Sequence, residues 1–328
     1  MSLLRVSGIS IEEEGRFVLK EVSFTQPELR KFAIAGETGS GKSTLLKIIA
    51  GYIQPGAGDV FFEGVRVKGP AEKLVPGHPG IAYLSQQFEL PKSLRVEQVL
   101  RYANMLSAAE AETLYAVCRI SHLLQRRTDH LSGGERQRIA MARLLTASPR
   151  LLLLDEPYSN LDMVHKAVLK SVVRDIGDKL NITCLLISHD PLDTLSWADE
   201  ILVMRDGQVL QQGTPAQLYR QPVNEYTAAL FGSYNLFPPA IAAKLLTNFG
   251  IDSKGRQALV RPESFRIVAA EHGGVAGKVQ QVSYYGSYYE LHALLFASVT
   301  VTIRTSASTY MTGDDLYISL APADVWYI

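Results

Sequence analysis

Cysteine is scarce in this chain. Cys118 and Cys184 are the two cysteines among 328 residues, and both lie in apolar or helical stretches of sequence. Two such cysteines cannot provide the framework of disulfides that stabilises small secreted domains. The cysteine content therefore favours a protein of a reducing compartment, the cytosol.

Long hydrophobic runs are also missing from the sequence. Apolar stretches such as residues 151–154 and 294–301 fall far short of the ~20 residues that span a bilayer. The N-terminal residues lack the extended apolar core of a secretory signal. We expect no membrane-spanning helix, so that work at a membrane would require a separate subunit as the anchor.

Neither sign of charge is in excess. Lysine plus arginine and aspartate plus glutamate each total 33, which gives a formal net charge of zero at pH 7. Nucleic-acid-binding domains usually carry a basic patch or stripe. The charge balance therefore predicts no nucleic acid among the partners.

Glycine, in contrast, is concentrated in a segment with a recognisable pattern. Residues 36–43 fit G-x-x-x-x-G-K-[ST] between an apolar run and a helix-like stretch. In that context successive backbone N–H groups can turn toward phosphate oxygens, while Lys42 reaches the outer phosphates and the hydroxyl of Ser43 binds Mg²⁺. A chance glycine-rich turn is the alternative, but it would not require the strand before and the helix after. The predicted phosphate-binding residues are Gly36, Glu37, Thr38, Gly39, Ser40, Gly41, Lys42, Ser43 and Thr44.

Short strand-like runs alternate with helical stretches between about residues 30 and 210. Such alternation predicts an α/β domain with a largely parallel sheet. Near-continuous apolar runs, which are typical of strands covered on both faces, predict the central strands at residues 31–35, 151–154 and 183–188. Three earlier runs predict an antiparallel group beside that sheet, at residues 3–11, 18–25 and 60–62.

Two further regions depart from this alternation. Residues 95–125 become helical, with Val96, Val99, Leu100 and Ala103 spaced to form one face, so we expect a helical insert at about 90–130. Beyond residue 237 strict alternation, as in Val299 to Arg304, indicates a β-rich unit. We therefore predict two domains, residues 1–237 and 238–328.

Four more motifs follow the glycine-rich loop along the chain. Gln86 follows a predicted strand, Leu131 to Arg138 contain a Leu-Ser-Gly-Gly turn that opens a helix, and Asp155 and Glu156 end a strand of four leucines. The last two motifs are Ser159-Asn160-Leu161-Asp162 and Ile187-Ser188-His189-Asp190. This order resembles the ATP-binding cassette (ABC) family of transport ATPases, and the Leu-Ser-Gly-Gly turn separates it from other P-loop classes.

Physical chemistry and the resemblance together give Asp155 and Glu156 their expected roles. The C-terminal tip of a buried parallel strand presents both carboxylates where ligands gather in open α/β sheets. The resemblance implies that Asp155 is the acid on the Mg²⁺ side and that Glu156 orients or deprotonates the attacking water. A solvated carboxylate at a strand end is the alternative for Glu156, although Pro157 stops the strand directly after it.

The other motifs take their roles mainly from the resemblance. It implies that His189 contacts the γ-phosphate of ATP, and that Gln86 is a ligand of Mg²⁺ and water that couples the site to the helical insert. An ordinary core or surface histidine and a polar edge glutamine are the alternatives. Ser132, Gly133, Gly134 and Glu135 open a helix whose N-terminal N–H groups form an anion site; cap and phosphate site are compatible readings there.

The resemblance further implies that two chains pair head to tail. The turn at Ser132 of one subunit would then close over the ATP held by Lys42 of the other, and Asp162 would bond across the interface. Because the sequence carries one glycine-rich loop and one such turn, we expect it to dimerise with itself or with a paralogous ATPase.

One departure from the family pattern concerns the base of the nucleotide. Where the family usually places an aromatic residue that stacks on adenine, this chain has Glu12, Glu13 and Glu14, with Phe17 close by. Preference for ATP over GTP therefore cannot be carried over with the phosphate site.

The C-terminal unit favours a transport function. Arg261-Pro262-Glu263, Gly277-Lys278-Val279 and the segment from Thr312 to Ile318 resemble the small OB-like β-barrel of importer ATPases. The resemblance implies separate transmembrane permease subunits, an extracytoplasmic solute-binding protein acting indirectly, and a peripheral location on the cytoplasmic side of the inner membrane. A soluble cassette ATPase without a permease and a P-loop kinase are the alternatives; the transported solute stays open.

Overall fold

A computed structural model describes residues 2–102, 104–296, 298–306 and 309–328. The chain divides into two compact units, Met1–Pro215 and Ala216–Ile328. Within the described residues, no helix combines the length and the apolar character needed to cross a membrane. The predicted domain boundary near residue 238 falls inside the second unit and stays a prediction.

The described residues of the first unit form ten strands and six α-helices, and a seventh α-helix begins at the last residue of the unit. Its strands are β1 (Ser2–Glu13), β2 (Arg16–Pro27), β3 (Phe32–Ala35), β4 (Ala57–Phe62), β5 (Val65–Arg66), β6 (Ile81–Leu84), β7 (Leu151–Asp155), β8 (Thr183–Ile187), β9 (Glu200–Arg205) and β10 (Gln208–Gly213). Its helices are α1 (Lys42–Ile49), α2 (Val96–Arg101), α3 (Ala108–Val117), α4 (Gly133–Leu145), α5 (Met163–Leu180), α6 (Pro191–Leu195) and the straddling α7 (Pro215–Arg220).

Two sheets organise the first unit. One has the order β10-β9-β3-β8-β7-β6, parallel except for the edge strand β10, and the other is antiparallel with the order β2-β1-β4-β5. The predicted central strands are thus adjacent, as β3, β8 and β7, and the predicted antiparallel group is present. These observations confirm the α/β fold class.

Strand β7 lies between two hydrophobic cores. Leu152 and Leu154 belong to the core shared with α3, α4 and α5, whereas Leu151 and Leu153 belong to the core shared with α1 and the antiparallel sheet. Because successive side chains of a strand point to opposite faces, four consecutive leucines bury both faces of the sheet. The polar end of β7 is therefore fixed rigidly.

The predicted helical insert is present but interrupted. Val96, Val99 and Leu100 are buried on α2, and that helix ends at Arg101 before α3 begins at Ala108. Ala103, expected on the same face, lies outside the described residues. Among its described residues, the insert comprises the short helices α2 and α3 and two 3-10 turns, Ser121–Leu123 and Thr128–His130.

The second unit is rich in antiparallel strands. Its elements are α8 (Glu225–Leu230), β11 (Asn235–Phe237), α9 (Pro239–Asn248), β12 (Ala258–Val260), β13 (Arg266–Val268), β14 (Val275–Tyr284), β15 (Tyr289–Leu295), β16 (Val299–Thr305), β17 (Asp315–Ser319) and β18 (Val325–Tyr327). They form a sheet of order β13-β17-β14-β15-β16 and another of order β11-β12-β18 around a single core. The alternation predicted from Val299 onward is observed, since Val299, Val301 and Ile303 are buried.

Both cysteines are buried and form no disulfide bond. Burial raises the pKa of the Cys118 and Cys184 thiols to about 12. A thiol with so high a pKa stays protonated at neutral pH and acts as a small apolar group.

Candidate functional site

The glycine-rich loop connects β3 to α1 and folds around Lys42. The ammonium group of Lys42 donates hydrogen bonds to the carbonyl oxygens of Gly36 (2.8 Å) and Glu37 (2.6 Å) and to Oγ of Ser40 (3.1 Å). Lys42 is 6% exposed, and burial lowers its pKa even though Glu156, Asp155 and Glu37 oppose that shift. A buried cation beside a curled backbone favours binding of an anion.

Gly41 shows why the loop needs glycine. It has a φ of 90° as the N-cap of α1, a conformation that side-chain-bearing residues rarely adopt. A Cβ added there would lie 2.5 Å from the carbonyl oxygen of Val18. The loop can therefore approach β2 closely only because this position lacks a side chain.

The end of β7 brings polar groups to the loop. Oγ of Ser43 donates to Oδ1 of Asp155 at 2.9 Å, and the hydroxyl of Tyr83 donates to Oδ2 of the same carboxylate, also at 2.9 Å. Burial and, as the next largest cause, the negative charge of Asp155 raise the pKa of Tyr83. The hydroxyl of Tyr83 therefore stays protonated and can donate. Tyr83 is not among the predicted site residues, although it lies only three residues before Gln86.

Hydroxyl and carboxylate oxygens suit Mg²⁺, which protein sites commonly hold through one or two carboxylates together with substrate phosphates. Ser43 and Asp155 therefore fit the predicted metal role by their chemistry and their proximity. Among the described residues no group of three or more histidine, cysteine or acidic side chains could hold a metal.

Glu156 lies between two other predicted residues. Its Oε2 accepts a hydrogen bond from Nε2 of Gln86 at 3.3 Å, and Nδ1 of His189 is also 3.3 Å from that oxygen. The three side chains come from the ends of the neighbouring strands β6, β7 and β8, and Asp155 pairs with Ile187 in the parallel register. The structure thus brings Gln86, Glu156 and His189 together.

The backbone at Glu156 is unusual. Its φ is 47°, in the left-handed region, while its N–H bonds to the carbonyl of Ile187 (3.1 Å) and its carbonyl accepts the N–H and the hydroxyl of Ser159. Strained backbone of this kind is enriched at functional sites. These bonds hold the turn that directs the carboxylate out of the sheet.

The Leu-Ser-Gly-Gly turn forms the N-terminus of α4. The side chain of Ser132 accepts the N–H of Glu135 at 3.3 Å, and the Glu135 carboxylate accepts the N–H of Ser132 at 2.8 Å, so the two residues form a capping box. Gly133 and Gly134 occupy the first two helical positions, whose N–H groups have no partner within a helix. The predicted anion site therefore has the expected local geometry.

Asp162 caps α5 and contacts His165. Its Oδ1 accepts the N–H of His165 at 2.9 Å, and its Oδ2 lies 2.6 Å from Nδ1 of that imidazole. The imidazole also packs on the Leu-Ser-Gly-Gly turn, because a Cβ added to Gly134 would lie 2.9 Å from Cδ2 of His165. His165 thus joins the turn at Ser132 to the loop at Asp162, which is the loop predicted to bond across a dimer interface and is called the dimer loop below. No sequence motif indicated this contact of His165.

The region expected to contact the base is a tight hairpin. Glu12 pairs with Phe17 and Glu13 with Arg16, and Glu14 and Gly15 form the turn between β1 and β2. The ring of Phe17 is more than half exposed, with Nζ of Lys20 5.8 Å from its centroid. Among the described residues, Lys20 is the one cation placed over this ring. Whether Phe17 contacts the base stays open.

A glycine-rich loop between a parallel strand and a helix, with an Asp-Glu pair at the end of a nearby strand, defines the class of P-loop nucleoside triphosphatases. Residues 19–159 match the family model described as ABC transporter, and residues 258–328 match the TOBE domain. The chain therefore contains an ABC transporter ATPase domain and a C-terminal TOBE domain. The resemblance stated from the motifs is confirmed, as are the fold class and the ATPase activity.

Relatives agree with this assignment. The chain is 28% identical over 341 residues to "Spermidine/putrescine import ATP-binding protein PotA" of Desulfitobacterium hafniense (strain Y51), covering 98% of this chain and 96% of that protein. It is similar to cbiO1 from Clostridium perfringens, part of the ABC transporter complex cbiONQ, with 25% identity and a TM-score of 0.58 over 66% of this chain and 90% of that one. It is also similar to the ADP conformation of MJ1267, an ATP-binding cassette of an ABC transporter, with 25% identity and a TM-score of 0.60 over 70% of this chain and 98% of that one.

Proposed function

We propose that the chain is the ATP-hydrolysing subunit of an ABC importer, bound peripherally at the cytoplasmic side of the inner membrane to separate permease subunits. The observation that carries the proposal is the similarity to an import ATP-binding protein over 98% of the chain, which includes the C-terminal unit. A solute-binding protein outside the membrane would act on this chain only through the permease. The transported solute stays undetermined.

The chemistry assigned to the site follows from its geometry. Residues 36–44 would hold the phosphates of ATP, and Ser43, Asp155 and Gln86 would hold Mg²⁺, which neutralises phosphate charge. Glu156 accepts bonds from Gln86 and lies beside His189, so its carboxylate can take a proton from a water molecule while His189 contacts the γ-phosphate. These roles make Gln86, Glu156 and His189 the proposed catalytic residues.

Dimerisation completes the site in this proposal. No hydrogen bond or ion pair among the described residues joins Ser132, Gly133 or Gly134 to Lys42 or Ser43. A second subunit, either the same chain or a paralogue, would bring its own Ser132 turn to the phosphates and would contact Asp162. Removal of the γ-phosphate would then release the two subunits.

The dimer can be tested with the Glu156→Gln variant, which should trap ATP. We expect that variant to elute as a dimer with ATP and Mg²⁺ and as a monomer with ADP. Lys42→Ala in the same background is the control, since it should remain monomeric with ATP. A trapped protein that stays monomeric in the presence of ATP, and that no paralogue converts to a dimer, would contradict the proposal.

A groove in the first unit is the proposed contact with the permease. Phe88, Leu90, Lys92, Asp129 and Arg136 are among the residues that line a cavity of about 470 Å³. Phe88 and Leu90 are half-buried and pack against the core of the helical insert. Hydrogen bonds from the hydroxyl and the N–H of Thr128 to the carbonyls of Pro91 and Leu94 join the two walls.

Co-purification distinguishes a transporter from a soluble cassette ATPase. We expect native purification of the full chain to recover a membrane permease, and Leu90→Asp to lose it while ATP hydrolysis by the isolated chain persists. Leu74→Asp, at a fully exposed apolar residue elsewhere, is the matched control and should retain the permease. Recovery of a soluble or nucleic-acid partner instead would support the alternative, and a phosphorylated acceptor would indicate a kinase.

A further inference from the structure

An ionic cluster surrounds the segment that carries His189. On one side of this histidine, Oγ of Ser188 accepts the N–H of Asp190 at 3.1 Å and donates to Oδ2 of Asp193 at 2.9 Å. On the other side, the carboxylate of Asp190 caps α6 by accepting the N–H of Leu192 at 2.9 Å. Both neighbours of His189 are therefore held by side-chain bonds.

Asp193 is the centre of this cluster. It is 2% exposed, and its Oδ1 lies 2.9 Å from Nζ of Lys166 and 2.6 Å from Nζ of Lys170. Lys166 also bonds to the carboxylate of Asp190. A buried carboxylate is tolerated when opposite charges and hydrogen bonds compensate for its lost hydration, and here two ammonium groups and a hydroxyl do so.

Both cations come from one helix. Lys166 and Lys170 are one turn apart on α5, and the N-cap of α5 is Asp162. A movement of α5 would therefore displace the two ammonium groups relative to Asp193 and Asp190. Because the side chain of His189 is itself largely exposed, packing fixes it little, and the cluster constrains it through the residues on either side, Ser188 and Asp190.

We propose that Asp193 is a positioning residue that holds His189 against Glu156 and links that position to helix α5 and the dimer loop at Asp162. The inference rests on the proposed role of His189 at the bound nucleotide. Asp193 itself touches no nucleotide in this proposal and acts through the hydrogen bond from Ser188 and the ion pairs with Lys166 and Lys170. The cluster thereby makes the orientation of His189 depend on the contact that Asp162 makes with a second subunit.

Replacement of the central carboxylate tests this role. In the full chain we expect Asp193→Asn to lower kcat for ATP hydrolysis by about tenfold to a hundredfold, as misplacement of a catalytic group does, while the Kd for a fluorescent ATP analogue stays nearly constant. Asp193→Glu, which keeps the charge, should recover most of the loss. Asp175→Asn is the matched control, because Asp175 pairs with Lys179 on the same helix and should leave kcat unchanged.

A double-mutant cycle separates positioning from general destabilisation. If Asp193 acts through His189, then adding Asp193→Asn to His189→Ala should cause no further loss of kcat. A further loss of the full tenfold or more in that background would overturn the inference. Unchanged kcat in Asp193→Asn, with the expected loss in His189→Ala, would overturn it as well and leave the proposed function standing.

Ser188→Ala covers the case in which Asp193→Asn fails to fold. It removes the hydroxyl that joins Asp193 to the backbone of Asp190 but leaves the ion pairs in place. We expect a smaller loss of kcat in the same direction, again absent in the His189→Ala background. If His189→Ala itself hydrolyses ATP normally, both the proposed function of His189 and this inference are wrong.

Discussion

Glu156 is the residue on which the hydrolytic step depends most directly. Its carboxylate extends from a left-handed turn at the end of β7, where Gln86 and His189 contact the same oxygen atom. Glutamine has the same size but cannot accept a proton from water. We expect Glu156→Gln to lower phosphate release by about 10²–10⁴-fold and to leave ATP binding intact.

Phosphate release and equilibrium nucleotide binding, measured on the same preparation, check this expectation. Glu112→Gln is a suitable control, because it replaces an exposed carboxylate of α3 by an amide without touching the proposed water site. A Glu156→Gln variant that hydrolyses ATP at the normal rate would place the general base elsewhere.

Lys42 predicts how nucleotide binding depends on pH. Burial lowers its pKa from the ordinary value of 10.5, and bound phosphates would raise it again, so that binding takes up a proton at alkaline pH. We expect the affinity for ATP to fall as the pH rises through the lowered pKa. Calorimetric titration with ATP at a series of pH values from 7 upward measures this affinity. The Lys42→Arg variant should bind ATP more weakly, but its affinity should not change over this pH range because arginine stays charged.

The same shift has a consequence for stability without nucleotide. Between the lowered pKa and 10.5 the unfolded chain binds more protons at Lys42 than the folded chain does. The contribution of Lys42 to the free energy of unfolding therefore rises with pH across that window. The free energy of unfolding of the wild type minus that of Lys42→Met, measured as a function of pH, isolates this contribution. A difference that falls as the pH rises would contradict the burial argument.

Among the elements, β7 shows how the packing of a strand fixes the site. Its leucines alternate between two cores, and Leu153 is completely buried. Leu153→Ala should lower the free energy of unfolding by about 2–5 kcal/mol, because it removes buried apolar surface and leaves a cavity. Denaturant unfolding followed by circular dichroism measures the effect.

Leu74 supplies the comparison for this prediction. It is 99% exposed, so Leu74→Ala should change the free energy of unfolding by less than about 0.5 kcal/mol. Equal effects of the two substitutions would show that β7 does not carry the packing described here.

At the scale of the whole molecule, Arg261 links the first residues of the second unit to its β-rich part. Its guanidinium donates to the carbonyl oxygens of Tyr219, Ala228, Gly232 and Ser233 at 2.9–3.1 Å. These bonds tie residues 219–233 to the β-rich part of the unit, whereas the sequence pattern placed that segment with the ATPase domain. The predicted boundary near residue 238 rests on where the α/β alternation stops, a pattern that does not depend on such bonds, and it stays a prediction.

Removal of this guanidinium should loosen the segment. We expect Arg261→Met to destabilise the second unit by at least about 2 kcal/mol, because it leaves buried carbonyl groups without donors. Limited proteolysis of the full chain should then cut within residues 219–233. The protease should cleave Arg266→Met, a variant at an exposed arginine of the same unit, no faster than the wild type. Equal cleavage rates for Arg261→Met and Arg266→Met would contradict the role given to Arg261.

The sequence by itself determined the class of fold, the order of the motifs and the residues that we propose to bind phosphate. It could do so because local patterns carry them: a glycine-rich loop must have its glycines, and a buried parallel strand must be apolar throughout. The four leucines before Asp155 therefore predict both the buried strand and the position of the carboxylate at its end.

Tertiary structure alone decided which side chains touch. The bond of Tyr83 to Asp155, the packing of His165 on Gly134 and the cluster around Asp193 each join residues distant in sequence. None has a periodic or spacing signal, because such contacts depend on how strands and helices lie in space. The sequence thus named the groups that would carry the chemistry, and folding supplied the neighbours that hold them in place.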